Sequence, residues 1–162
     1  MNLTESILMS ALSHTAGYIY GSAGRDRVDC TRLTFAILYD VYGRAVTGRR
    51  GDLMVYDPKA PWSPVTGAVA LGIGTEVAAP TPGRWHLCQG WRKLEAGAVP
   101  RGHGPNGHAW LWYQPETPTG QRGYIVQATT TPPPWCERRT WADQAQRFPA
   151  GVRLVELNEV TT

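Results

Sequence analysis

The chain has 162 residues, 42% hydrophobic and 18% charged, with a formal net charge of +3 at pH 7. That length can bury a core without metals or disulfides, and the composition excludes a disordered or fibrous chain. The mild positive charge is nearly all arginine, with lysine only at Lys59 and Lys93, and no basic cluster marks a nucleic-acid interface. Arg49-Arg50 and Arg138-Arg139 are isolated pairs that read as solvated surface. Met1 to Leu12 is not a basic-plus-apolar leader, and no apolar run approaches the roughly 20 residues that span a bilayer. The protein is therefore expected to be made in the cytoplasm and to need a route other than a secretory signal if it works elsewhere.

Residues 3–13 place Leu3, Ile7, Leu8, Ala11 and Leu12 on one helical face, with Asn2 or Thr4 as cap. Gly17 ends this helix, and Tyr18-Ile19-Tyr20-Gly21 forms an extended turn. Asp29 caps a second helix over about 30–42, with Leu33, Ala36, Ile37 and Val41 inward and Gly43 as its stop. Between 44 and 84 the pattern predicts a short element at Asp52–Tyr56 and a Pro/Trp-rich turn at 58–64. The Gly/Ala/Val stretch at 65–79 suits a small helix or a buried strand. From Arg84 the period changes to two, predicting strands at 85–91, 108–113 and 123–128 separated by Pro/Gly-rich loops. A short helix near Thr140–Gln146 and a strand at Val152–Leu157 follow. Helices first and an antiparallel sheet after give an α+β order, read as one domain over 1–162.

The chemistry centres on Cys30. As the first residue after an N-cap it meets unpaired N–H groups and the positive end of the helix dipole, which favour thiolate over thiol. That is one way to activate a nucleophile; the alternative is a buried structural thiol. With three cysteines at least one is free or intermolecular, and Cys88 and Cys136 either bridge or, more simply, serve as buried apolar residues. His108 follows Pro105-Asn106-Gly107 at the start of an aromatic strand, where a general base is held rigidly near a sheet edge. Gln127, between Val126 and Ala128, needs a partner if it points inward. Its amide oxygen is suited to accept from the second imidazole nitrogen of His108 and fix the tautomer. Read blandly, His108 is a loop-end histidine and Gln127 faces solvent.

His103 and His108 resemble ligand spacing, and His86, Cys88 and Cys136 suggest zinc, but there is no Cys-x-x-Cys or His-x-x-x-His pair, so no metal or other cofactor is expected. Gly72-Ile73-Gly74 lacks the context of a phosphate loop. Trp110, Trp112 and Tyr113 occupy both faces of their strand; alternate ones form core, while Trp112 or Trp91 is available to line a groove.

Taken together, Tyr18-Ile19-Tyr20-Gly21-Ser22, Asp29-Cys30-Thr31-Arg32, Gly107-His108 and Gln127 resemble the NlpC/P60 peptidases. These papain-like enzymes cleave peptide bonds in bacterial cell walls. The family pattern is Tyr-x-Trp-Gly-Gly, Asp-Cys-Ser-Gly opening a helix, Gly-His at a strand start, and a polar residue one strand on. The resemblance implies Cys30 as nucleophile, His108 as base, Gln127 as orienter, and Tyr18 with the Cys30 N–H as oxyanion donors. It covers residues 1–43 and about 100–130. The segment 44–99 differs, with an insertion at about 44–84, and its Trp62, Trp85 and Trp91 are expected to shape specificity. Ser22 replaces the second glycine, Thr31-Arg32 replaces Ser-Gly, and a loose Glu95-Ala96-Gly97-Ala98-Val99 stands where the family has Pro-Gly-Asp-Leu.

The implied protein is a papain-like α+β cysteine hydrolase of peptidoglycan stem peptides or cross-links. It is also similar to small interbacterial amidase toxins and phage wall hydrolases, which implies an immunity partner or a phage or secretion machine that delivers it to the wall. Two alternatives use the same features. One is a protein-directed cysteine protease, deamidase or transglutaminase-like enzyme. The other is an inactive structural module, for instance of a phage particle.

Overall fold

Helix α1 (Leu3–Thr15) begins where Asn2 and Glu5 close a reciprocal cap, each backbone N–H donating to the other side chain at 2.9 Å. The computed structural model describes residues 1–21, 27–44, 64–93, 107–117, 122–129 and 136–160. The apolar stripe of α1 is narrower than its sequence pattern: Leu3, Ile7 and Ala11 are buried, but Leu12 is 60% exposed. Helix α2 (Cys30–Tyr42) starts at Asp29, whose Oδ1 accepts the Arg32 N–H at 2.8 Å. It ends at Gly43, which adopts φ +67° and donates its N–H to the Tyr39 carbonyl at 2.7 Å. Burial on α2 extends well past one stripe, taking in Thr31, Thr34, Phe35 and Leu38 as well as Leu33, Ala36 and Ile37, while Val41 is only half-buried. Asp40 ties the two helices together by accepting from Ser10 Oγ at 2.7 Å and from His14 Nε2 at 2.8 Å.

Two short strands, β1 (Ile19–Tyr20) and β2 (Arg27–Val28), pair in parallel between the helices, with Tyr20 opposite Val28. The stretch expected as helix or strand is both: α3 (Pro64–Ala70) turns at Gly72, φ +69°, into β3 (Gly74–Val77). The remaining elements are β4 (Trp85–Trp91), β5 (Gly107–Tyr113), β6 (Gly123–Val126), β7 (Cys136–Arg139), α4 (Trp141–Ala145) and β8 (Gly151–Leu157). The fold is α+β, with a six-stranded antiparallel sheet ordered β3-β8-β4-β5-β6-β7. Strand β7 is absent from the sequence expectation because Cys136-Glu137-Arg138-Arg139 has no apolar alternation; its pairing with β6 makes it a strand. The expected element at Asp52–Tyr56 and most of the 58–64 turn lie outside the described residues.

The sheet is covered on both faces. Trp85, Leu87, Leu111, Val126 and Val155 pack with residues of α1, α2 and α3, while Cys88, Trp110, Trp112, Ile125 and Leu154 pack with Phe148. Trp91 and Trp112 are therefore core, not groove. His86 is also structural: its Nε2 accepts the Thr81 N–H at 2.8 Å, and its Nδ1 faces the Trp112 carbonyl at 3.4 Å. Cys88 and Cys136 are both free thiols, the first buried and the second half-buried. Among the described residues no helix is long and apolar enough to cross a membrane, and no group of three or more His, Cys, Asp or Glu is placed to hold a metal.

The left-handed backbone at Gly43 sets the first test. A Gly43→Ala substitution forces a Cβ into that conformation and should lower unfolding free energy by roughly 1–2 kcal/mol, read from urea denaturation.

Candidate active site

The start of α2 puts Cys30 on the wall of a cavity of about 470 Å³ that is also lined by Tyr20, His108 and Gln127. The capping bond to Asp29 and a bond from Thr34 Oγ1 to the Cys30 carbonyl at 2.8 Å fix this first turn. Cys30 is 7% exposed, with its Sγ 3.7 Å from Thr31 Oγ1. Its own N–H is among those that an α-helix leaves without an intrahelical acceptor.

His108 lies on β5 directly across from Gly90 of β4. Its Nε2 is 2.8 Å from Gln127 Oε1, just beyond the end of β6. An amide oxygen only accepts, so the neutral ring carries its proton on Nε2 and its lone pair on Nδ1. Continuing the Leu111–Val126 register sets Gln127 level with Trp110 and diagonal to His108, within reach of a long side chain. The imidazole stacks on Trp110 and on Phe148, each at 5.7 Å between centroids, and those two rings stack at 4.8 Å. Burial pushes its pKa from 6.5 down to about 4; the bond to Gln127 opposes this, and the charges of Arg92 and Arg139 add to it. The ring is therefore a neutral base across the physiological range.

Phe148 owes its place to Gly90. A Cβ on Gly90 would stand 2.6 Å from Phe148 Cγ, so only glycine leaves room for that ring. Arg92 lies over the same ring, 5.8 Å from its centroid.

Of the four residues singled out by sequence, Cys30, His108 and Gln127 line this one cavity. Tyr18 does not; it packs, half-buried, against the helix-side core. The tyrosine that lines the cavity is Tyr20, set beside the start of α2 by the β1–β2 pair. Burial, then the charges of Cys30 and Asp29, raise its phenol pKa, so at neutral pH it is a hydroxyl donor. The run Tyr18-Ile19-Tyr20 offers both tyrosines, and only the strand pairing selects between them. Sequence reasoning also missed Arg92, Gln144, Arg147 and Phe148 in the lining, and read Arg139 as surface. Arg139 lies on β7, the strand that the pattern did not predict, and that strand carries it to the cavity. Trp85 and Trp91 are not among the lining residues, and Trp62 lies outside the described residues.

Chemically, the cavity offers a thiol at a helix N-terminus, a neutral imidazole with a fixed tautomer, a phenol donor and, among the described residues, three arginines against the one carboxylate of Glu137. Comparison of the chain with protein-family models, curated proteins and solved structures finds no match.

Desolvation of His108 has a definite sign. Its imidazole should titrate near pH 4 in a histidine NMR titration, well below the ordinary value of 6.5. Phe148→Ala, which admits water, and Gly90→Ala, which displaces the ring, should each move the midpoint up toward 6.5. A wild-type midpoint already near 6.5 would contradict the buried, stacked arrangement.

Proposed function

We propose that the protein is a cysteine amide hydrolase of papain-like arrangement, a peptidase or amidase acting on the stem peptides or cross-links of peptidoglycan. The observation that carries the chemistry is that Cys30, at the N-terminus of α2, shares one cavity with the His108–Gln127 pair. The choice of peptidoglycan rests on the resemblance of Asp29-Cys30, Gly107-His108 and Gln127 to NlpC/P60 peptidases.

In this reading His108 Nδ1 takes the Cys30 proton as Sγ attacks the amide carbonyl, forming a C–S bond and a tetrahedral oxyanion. The Tyr20 hydroxyl and the Cys30 N–H donate to that oxyanion, the role that the resemblance gives to Tyr18. Gln127 accepts from Nε2 throughout and holds the ring in the attacking tautomer. The imidazolium then protonates the amine nitrogen, the C–N bond breaks, and a thioester remains on Cys30. His108 next takes a proton from water; the hydroxide attacks the thioester, and the carboxylic acid leaves as Cys30 recovers its proton. The protein would act at the bacterial wall, delivered by a phage or secretion machine and restrained in its producer by an immunity partner.

Digestion of purified peptidoglycan by the wild type should give new muropeptides detected by mass spectrometry, and none should appear with Cys30→Ala. His108→Ala should lower kcat/KM by roughly 10²–10⁴-fold, the usual contribution of a positioned base. No fragments from walls of several chemotypes would overturn the substrate assignment.

A further inference from the structure

The C-terminal half of the cavity contains a buried donor that has no partner among the described residues. Gln144, on α4, is 0% exposed, and its Nε2 makes no hydrogen bond among the described residues although the residue lines the cavity. Its orientation is not arbitrary. Gln144 Oε1 accepts from Arg139 Nη1 at 2.9 Å, and turning the amide over would set its NH₂ against the guanidinium. Arg139 is itself held by Glu137, whose Oε2 lies 2.6 Å from Nη2. A buried N–H left unpaired carries a desolvation cost that an incoming acceptor relieves.

The charges around it decide which acceptor fits. Arg92 and Arg147, both exposed, join Arg139 in the lining, and among the described residues Glu137 is the one carboxylate there. A neutral carbonyl would satisfy Gln144 but would use none of the positive charge; a carboxylate satisfies both.

We propose that Gln144 and Arg139, with Arg92 and Arg147, form a carboxylate subsite beside Cys30, and that the enzyme selects peptide amides bearing a free carboxylate near the scissile bond. The inference rests on the hydrolase reading for its meaning but not for its test. A carboxylate seated there would also offset the arginine charges that depress the basicity of His108, so the correct substrate would strengthen its own base.

The probe is a set of muropeptides with free stem-peptide carboxylates, and the same set chemically amidated. Each is titrated into ¹⁵N-labelled Cys30→Ala protein, so that binding is read without turnover. The free-acid set should bind at least about tenfold more tightly, a difference of about 1.4 kcal/mol. It should also shift the Gln144 side-chain NH₂ resonance, which the amidated set leaves in place. Arg147→Gln and Arg92→Gln, changes at exposed positions, should each narrow that ratio. Equal affinity for the two sets, binding of neither, or an unmoved Gln144 signal would overturn the subsite. The hydrolase reading fails separately, if wild type leaves intact the free-acid muropeptides that Cys30→Ala binds.

Discussion

A half-buried imidazole held neutral needs an acceptor for its N–H and walls that limit water, and much of this structure meets those two demands for His108. The acceptor is Gln127 Oε1, 2.8 Å from Nε2, and the walls are the stacked rings of Trp110 and Phe148. The pair bridges β5 and the end of β6, so a slip in the register of these strands would part it. The ring of Phe148 fits only because Gly90, across the ladder from His108, has no side chain. One hydrogen bond thus draws on three strands and on the segment after α4.

Cys30, the proposed nucleophile, reaches the same place from the other end of the chain. Asp29 fixes where α2 begins, and the β1–β2 pair brings Tyr20 up beside that helix start. Strand β7 and α4 close the cavity with Arg139 and Gln144; since Glu137 on β7 offsets Arg139, the positive charge of the described lining comes from Arg92 after β4 and Arg147 after α4. The lining is therefore divided by origin: Tyr20, Cys30, His108 and Gln127, the proposed reactive groups, come from residues 20–127, and Glu137, Arg139, Gln144, Arg147 and Phe148 from 137–148.

How much of this was legible in the sequence follows from what each signal depends on. The caps of α1 and α2 and the stop at Gly43 are local, and Asn2, Asp29 and Gly43 gave them away. Strands β4, β5, β6 and β8 showed through their apolar alternation. Strand β7 did not, because a pairing partner can make a strand of Cys-Glu-Arg-Arg without any such pattern. The juxtaposition of Cys30, His108 and Gln127 was readable because helix start, strand start and neighbouring strand are positions with predictable geometry. Tyr20, Phe148 and Gln144 were not, since each owes its place to a tertiary contact that no spacing encodes. Trp91 and Trp112 were ambiguous for the same reason: in a sheet covered on both faces, both sides of a strand are core.

The central claim is that His108 acts on the thiol of Cys30. The most direct measurement is the pH dependence of Cys30 alkylation by iodoacetamide, followed by peptide mass spectrometry in wild type and in His108→Ala, with Cys88 as the internal control. The account predicts that neutral His108 takes the Cys30 proton as sulfur attacks, so His108→Ala slows Cys30 alkylation around neutral pH, and this dependence fades as the imidazole protonates near pH 4. Cys88, fully buried with its thiol pKa pushed up, should stay unreactive in both. A rate of Cys30 alkylation unchanged by His108→Ala throughout that pH range would contradict the account.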